Sequence, residues 1–202
     1  MPFDQLPSHT TIESTIAALR HNGIEAFLVE NRGEANRKLF ELLPEKAEVM
    51  NMTSQTLLAL DAVSEILESG DYRPVRHELA ALDRKTDDVK MRKLGAAPEW
   101  VVGSVHAVTE DGHVLIASMT GSQLPAYVYG SRRVIWVVGA QKIVKDLDEG
   151  LRRIYEHSLP LETQRMKKTS GVDSAVNKLL IFNREVTPGR VTMILVNEVL
   201  GY

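Results

Sequence analysis

Apolar residues recur along this chain in two rhythms, and the alternation between them predicts the elements. Residues 9–22 carry Ile12, Ile16, Ala17 and Leu19 on one helical stripe, with Thr10 or Thr11 as the cap, Glu13 nearby and Asn22-Gly23 as the stop. Ile24–Val29 is a short continuous apolar run, the mark of a buried strand. A second helix is expected over Gly33–Leu43, stopped by Pro44. A weak strand follows at Val49–Met52, and then a helix capped by Thr53-Ser54 that runs through Leu57, Leu58, Val63, Ile66 and Leu67 to Ser69-Gly70. Helix and strand alternate here as in a parallel sheet with crossover helices.

Residues 71–99 break the rhythm. Both signs of charge crowd this segment, which reads as a mostly solvated helical region whose buried side is supplied by Leu79, Leu82, Val89 and Leu94. Strand-like runs return at Trp100–Val102, Val105–Val108 and Val114–Ala117. Arg133–Val138 is apolar almost throughout, as a strand covered on both faces requires. The next helix, Asp146–His157, sets acidic residues in its first turn and Arg152 and Arg153 further on, and Pro160 is expected to end it. Residues 161–177 read as a polar connector. Two late strands, Lys178–Phe182 and Val191–Val196, flank a turn at Thr187-Pro-Gly189, with part of this tail expected to be antiparallel. No repeat or linker interrupts the pattern, so residues 1–202 are read as a single α/β domain.

Composition narrows the functions open to such a domain. The 24 basic and 27 acidic side chains leave a net charge of −3, which gives no reason to expect nucleic acid or an anionic membrane as partner. The chain has no cysteine, so it can offer neither a thiolate nucleophile nor thiolate ligands for a cluster. No apolar run approaches the ~20 residues of a membrane span, and a cytoplasmic location is expected.

The residues able to do chemistry gather between 103 and 142. Thr109-Glu110-Asp111-Gly112 separates two apolar runs. Glu110 is either a nucleophile or general base with Asp111 as its orienting neighbour, or a solvated residue beside an Asp111-Gly112 hairpin turn. Thr120-Gly121-Ser122 precedes a short helix with Pro125 in its first turn. Gly121 and Ser122 there either offer backbone and hydroxyl donors to an anion or merely cap the helix. Gly139-Ala-Gln-Lys142 follows the strongest strand, where ligands of open α/β sheets collect, so Lys142 is either the counter-charge of an anionic ligand or a surface lysine. His106 and His113, on opposite sides of the expected turn, stand roughly 13 Å apart at about 3.3 Å per residue, too far to share a metal ion. No metal site is expected.

Taken in order, Gly103-Ser-Val-His-Ala-Val-Thr-Glu-Asp-Gly112, Thr120-Gly-Ser122, Arg133-Val-Ile-Trp-Val-Val-Gly139 and Gln141-Lys-Ile-Val144 resemble the LUD-domain family, the LutC/YkgG-type lactate utilisation proteins. The likeness continues in register through Asp146-Leu-Asp-Glu-Gly-Leu-Arg-Arg-Ile154 to Pro160. The resemblance implies a three-layer α/β sandwich with a mostly parallel sheet, like that of sugar-phosphate isomerases and coenzyme A transferases (the NagB/RpiA fold). It places Glu110, Gly112, Gly121 and Lys142 at matching motif positions. Ser104, Asp111, Thr120, Ser122 and Gly139 complete the expected ligand site, with Glu110 as the reactive or orienting carboxylate.

Two departures from the family pattern bear on function. Many relatives read Asp-Gly-Thr-Gly-Asn-Arg where this chain has Ala117-Ser-Met-Thr-Gly-Ser-Gln123, so acidic and amide groups are missing from that loop. The cysteine-rich tail of some relatives is also missing. Any iron–sulfur cluster must therefore belong to a partner protein, and the chain itself is expected to carry no cofactor. The expected role is in the use of L-lactate or a related organic acid, with a small anionic metabolite as ligand. The alternatives are a non-catalytic subunit or regulator that docks a partner, and a stand-alone transferase or isomerase acting on a coenzyme A ester or sugar phosphate. A homo-oligomer is compatible with each.

Overall fold

The computed structural model describes residues 3–202. In chain order, α1 (His9–His21) leads to strand β1 (Glu25–Val29), and α2 (Arg32–Leu42) to β2 (Glu48–Asn51). Two short helices follow, α3 (Gln55–Ala59) and α4 (Ala62–Glu68), and then β3 (Arg73–Pro74), α5 (Val75–Ala80) and α6 (Asp88–Ala96). The middle of the chain forms β4 (Trp100–Gly103), β5 (Ala107–Thr109), β6 (Val114–Ser118), a π-helical turn (Ala126–Gly130) and β7 (Arg133–Gly139). Beyond it come β8 (Ile143–Val144), α7 (Leu147–Arg153), α8 (Leu159–Ser170), β9 (Lys178–Phe182) and β10 (Val191–Val196).

Six strands make one wholly parallel sheet in the order β1-β10-β7-β4-β2-β3. Side chains of a strand alternate between faces, so the apolar runs of its central strands serve two cores at once. Val134, Trp136 and Val138 of β7, with Met193 and Leu195 of β10, face α1, α5 and the π-helical turn. Ile135 and Val137, with Ile194 and Val196, face α2, α3 and α4 on the other side. Helices thus cover both faces, and the architecture is an α/β sandwich of three layers.

A second sheet is added to this frame. Its order is β8-β5-β6-β9, with β5 and β9 antiparallel to β6 and β8 parallel to β5. One face joins the main core through Val108, Val114, Ile116 and Phe182, and the other packs through Ala107, Leu115 and Val144 against Leu147, Leu151 and Ile154. Trp136 joins the two sheets, meeting Tyr127 and Phe182 edge-on at ring distances of 5.5 and 5.4 Å.

Several local expectations are corrected. Ser8, not Thr10 or Thr11, caps α1, its hydroxyl accepting the Thr11 N–H at 3.1 Å. The helix expected from Thr53-Ser54 to Leu67 is split at Asp61, which takes a left-handed φ of 54° while Asn36 of α2 donates to the Leu60 carbonyl at 2.7 Å. Val89 does not supply a buried side of the charged segment, being 60% exposed, whereas Leu79 and Leu94 pack on the main core. Pro160 does not stop a helix. A π-helical turn at Ile154–Ser158 precedes it, and the backbone stays helical through the proline into α8. Much of the expected connector 161–177 is therefore helix.

Candidate functional site

Parallel strands deliver loops to one edge of a sheet, and here the loops after β2, β4 and β7 meet there around a cavity of about 300 Å³. Thr53 and Ser54 come from the first loop and Thr56 from the first turn of α3 beyond it, Ser104 to His106 from the second loop and Lys142 from the third. Ser118, Thr120, Ser122 and Gln123 form one wall, and Glu162 of α8 with Tyr202 forms another.

Lys142 stands in the floor with 1% of its surface exposed. Its Nζ lies 3.1 Å from each of three uncharged oxygens, Thr56 Oγ1, Ser104 Oγ and the Val105 carbonyl. Burial, and after it the charge of Arg153, push the Lys142 amine well below the usual lysine range. Arg153, fully buried behind the same wall, bonds the His106 carbonyl and the Ser158 hydroxyl, and its Nε and Nη2 have no partner. Burial brings its guanidinium down to about 10. His106 accepts the Ala117 N–H at Nδ1, 3.2 Å away, which leaves the proton of the neutral ring on Nε2. Burial, reinforced by Lys142 and Arg153, holds this histidine neutral, with its pKa lowered to about 3.

The carboxylate on the pocket wall is already engaged. Glu162 takes two bonds from Arg165, at 2.8 and 2.6 Å, and one from the Tyr202 hydroxyl at 2.6 Å. Arg165 chiefly, and Tyr202 after it, hold the Glu162 carboxyl below its ordinary range against the opposing effect of burial. Lys142 and Arg153 form no ion pair among the described residues, so two buried bases share this corner without a counter-ion. No cluster of three or more potential metal-ligating side chains occurs among the described residues.

The structure divides the expected site residues. Ser104, Thr120, Ser122 and Lys142 line the cavity. Glu110, Asp111 and Gly112 do not; they form the tip of the β5–β6 hairpin, packed on the end of α1. The turn is centred on Glu110 and Asp111 rather than on Asp111-Gly112, and is closed by the Gly112 N–H on the Thr109 carbonyl at 2.8 Å. Glu110 is exposed. Asp111 does not orient Glu110, because its carboxylate takes the Thr109 hydroxyl and lies 3.4 Å from His113 Nε2. Gly112, at φ 84°, is needed for close approach: a Cβ there would stand 2.8 Å from the Ala18 carbonyl carbon.

The expected anion cradle is also occupied from within. The Gly121 N–H donates to the Ser118 hydroxyl at 2.8 Å and the Ser122 N–H to the Thr120 hydroxyl at 3.3 Å. Gly139 serves packing, since a Cβ on it would lie 2.7 Å from the Leu200 nitrogen. Gln141, beside it, donates to the carbonyls of Leu200 and Gly201 at 3.0 Å each and so fixes the tail that carries Tyr202 to the pocket. Lys142 is neither a surface lysine nor a paired cation. Nothing in the sequence singles out Thr56, Glu162 and Tyr202, which approach from distant segments and carry no motif of their own, and Arg153 stands there only as a basic residue late in the helix that begins at Asp146. In sequence alone, His106 suggests no role beyond that of a metal ligand.

A six-stranded parallel sheet between two helical layers, with a lysine buried at the strand ends, defines a three-layer α/β domain. The family profile of the LUD domain matches residues 12–196, and the chain belongs to that family. Among solved structures, a DUF162 family protein from Deinococcus radiodurans is similar at 13% identity, with a TM-score of 0.59 over 96% of this chain and 100% of that one. A ribose 5-phosphate isomerase from Plasmodium falciparum, also 13% identical, aligns more weakly, with a TM-score of 0.38 over 79% of this chain and 80% of that one. No curated protein matches the sequence.

Proposed function

We propose that this LUD-domain protein is of the LutC/YkgG type and serves the use of L-lactate or a related organic acid in the cytoplasm by holding a small carboxylate or phosphate-bearing metabolite in the Lys142 pocket. The observation that carries this reading is the pair of buried bases, Lys142 and Arg153, with no carboxylate set against them. A bound anion supplies the missing counter-charge, and opposite charge in a desolvated site restores the ammonium form of the lysine. Binding is therefore coupled to proton uptake, and affinity rises as pH falls. With no cysteine in the chain, electrons leaving lactate would pass to iron–sulfur partner proteins.

A thermal-shift screen of L-lactate, D-lactate, pyruvate, sugar phosphates and acyl-coenzyme A esters tests the reading, because a ligand of the native state alone raises the melting temperature by mass action. The expected result is a shift with a small organic acid that disappears in Lys142→Met. Calorimetry in buffers of different ionisation enthalpy should show a proton taken up on binding. If none of these compounds shifts the wild type, the anion-pocket reading fails.

A further inference from the structure

The hydrogen bonds around Lys142 have a direction that follows from counting donors. The Val105 carbonyl can only accept, so it takes one N–H of the lysine. Thr56 has a single hydroxyl hydrogen, and it is directed to the Leu200 carbonyl at 3.3 Å, so its oxygen accepts a second N–H. A neutral amine has then used both of its hydrogens. In that neutral form the lone pair is left for the one remaining neighbour, the Ser104 hydroxyl at 3.1 Å, which makes no other hydrogen bond among the described residues and can donate to it. The ammonium form could donate to all three oxygens, but it would stand as an unpaired cation in the interior beside Arg153.

We infer that Ser104 and Lys142 form a nucleophile–base pair that cleaves a small carboxylic ester or thioester in this cavity. Ser104 lines the pocket at the carboxyl end of β4, so its hydroxyl meets both the base and an entering substrate. In the first half-reaction Ser104 Oγ bonds to the acyl carbon and its proton passes to Lys142 Nζ. The carbonyl electron pair moves to oxygen and returns as the bond to the leaving group breaks, and Lys142 gives its proton to the departing alkoxide or thiolate. In the second, water attacks the acyl-serine with Lys142 again as base, releasing a carboxylic acid and restoring the Ser104 hydroxyl. His106 supports the pair: its Nε2–H makes no hydrogen bond among the described residues, and the residue lines the same cavity, so it is the donor left for the developing oxyanion.

The inference rests on this cavity being the ligand site and goes beyond the binding of an organic acid. The acid released would be an anion of the kind proposed above. Its accumulation would protonate Lys142 and switch the pair off.

p-Nitrophenyl acetate is the probe, read by the burst of p-nitrophenolate and by peptide mass mapping. One acetyl group on Ser104 is expected in the wild type and none at that position in Ser104→Ala. In Lys142→Met the acylation rate should fall about 10²- to 10⁴-fold, the usual contribution of a general base. The pH profile of the wild type keeps the test sharp even if that variant does not fold. The rate should level off below about pH 10, the ordinary lysine range, once the base is deprotonated. A rate still proportional to hydroxide there overturns the inference, as does unchanged acylation in folded Lys142→Met or the absence of any acetyl group on Ser104. The two readings fail separately. An organic-acid thermal shift that persists in Ser104→Ala without acylation of the wild type leaves the anion reading standing alone, and acylation without any such shift does the reverse.

Discussion

Thr56 and Lys142 lie 86 positions apart in the chain, yet the threonine oxygen stands 3.1 Å from the lysine nitrogen while its hydroxyl hydrogen serves the Leu200 carbonyl. One hydroxyl therefore ties the start of α3 to the loop after β7 and to the tail leading to Tyr202. Thr56→Val keeps the volume but removes one of three oxygens around the buried amine, while the Leu200 carbonyl keeps its bond from Gln141. The loss of one such hydrogen bond costs about 0.5–1.5 kcal/mol. We expect a lower urea midpoint with an unchanged m-value, and a weaker thermal shift from any ligand of the pocket.

The hairpin tip predicts the opposite. Glu110 is exposed and outside the cavity, so Glu110→Gln should leave stability within about 0.5 kcal/mol of wild type, as surface changes usually do. Ligand-induced shifts should be unchanged. A loss of ligand response in this variant would return Glu110 to the functional site.

The contrast marks how far the chain can be read without its structure. β7 was legible because its apolar run is long and uninterrupted, and the position of Lys142 just beyond the end of that strand follows from it. Glu110 was misplaced because sequence order cannot say whether a loop turns toward the strand ends or away from them. The second sheet was hidden for a related reason: beyond the β5–β6 hairpin, the two-residue β8 joins β5 and the five-residue β9 joins β6 from distant parts of the chain. The long helix past Pro160 was missed because a π-helical turn leaves no signature in residue type.

His106 gives the pocket a defined pH response. Its pKa is about 3 when folded against an ordinary value of 6.5, so between these values the unfolded chain binds the additional proton. The stability this group contributes is present above about pH 6.5 and is lost toward about pH 3, with a slope of about 1.4 kcal/mol per pH unit for one proton. His106→Gln should lower stability at neutral pH yet flatten the acid limb. Urea unfolding between pH 7 and 4 measures both, and an unaltered slope would show that His106 is not the group responsible.

Gly103 is required by Tyr127. A Cβ at position 103 would stand 1.8 Å from the Tyr127 hydroxyl oxygen, and that ring packs edge-on against Trp136. Gly103→Ala should cost about 1–3 kcal/mol, as overpacking does, and alter the fluorescence of Trp136. Removing the hydroxyl relieves the worst contact, so Tyr127→Phe should restore part of the loss, and the double-mutant cycle should show coupling between the two positions.

Glu185 and Arg190 form an ion pair at 2.7 Å with side chains only 7% and 8% exposed, and Arg190 also donates to the carbonyls of Ser131, Ala126 and Tyr127. The pair thus holds the π-helical turn that carries Tyr127. Burial alone would raise the Glu185 carboxyl, but the bonds from Thr187 N–H and Arg190 together hold it below its ordinary value. A folded pKa below the unfolded one contributes stability that is full above the unfolded value and is lost as pH falls through the folded one. Glu185→Gln leaves the guanidinium buried without its counter-ion, and breaking such a pair from one side costs about 3 kcal/mol or more. The variant should therefore unfold at lower urea at pH 7, and the difference from wild type should shrink as acid protonates Glu185 in the latter. A constant difference across that range would mean that shape rather than charge holds the turn in place.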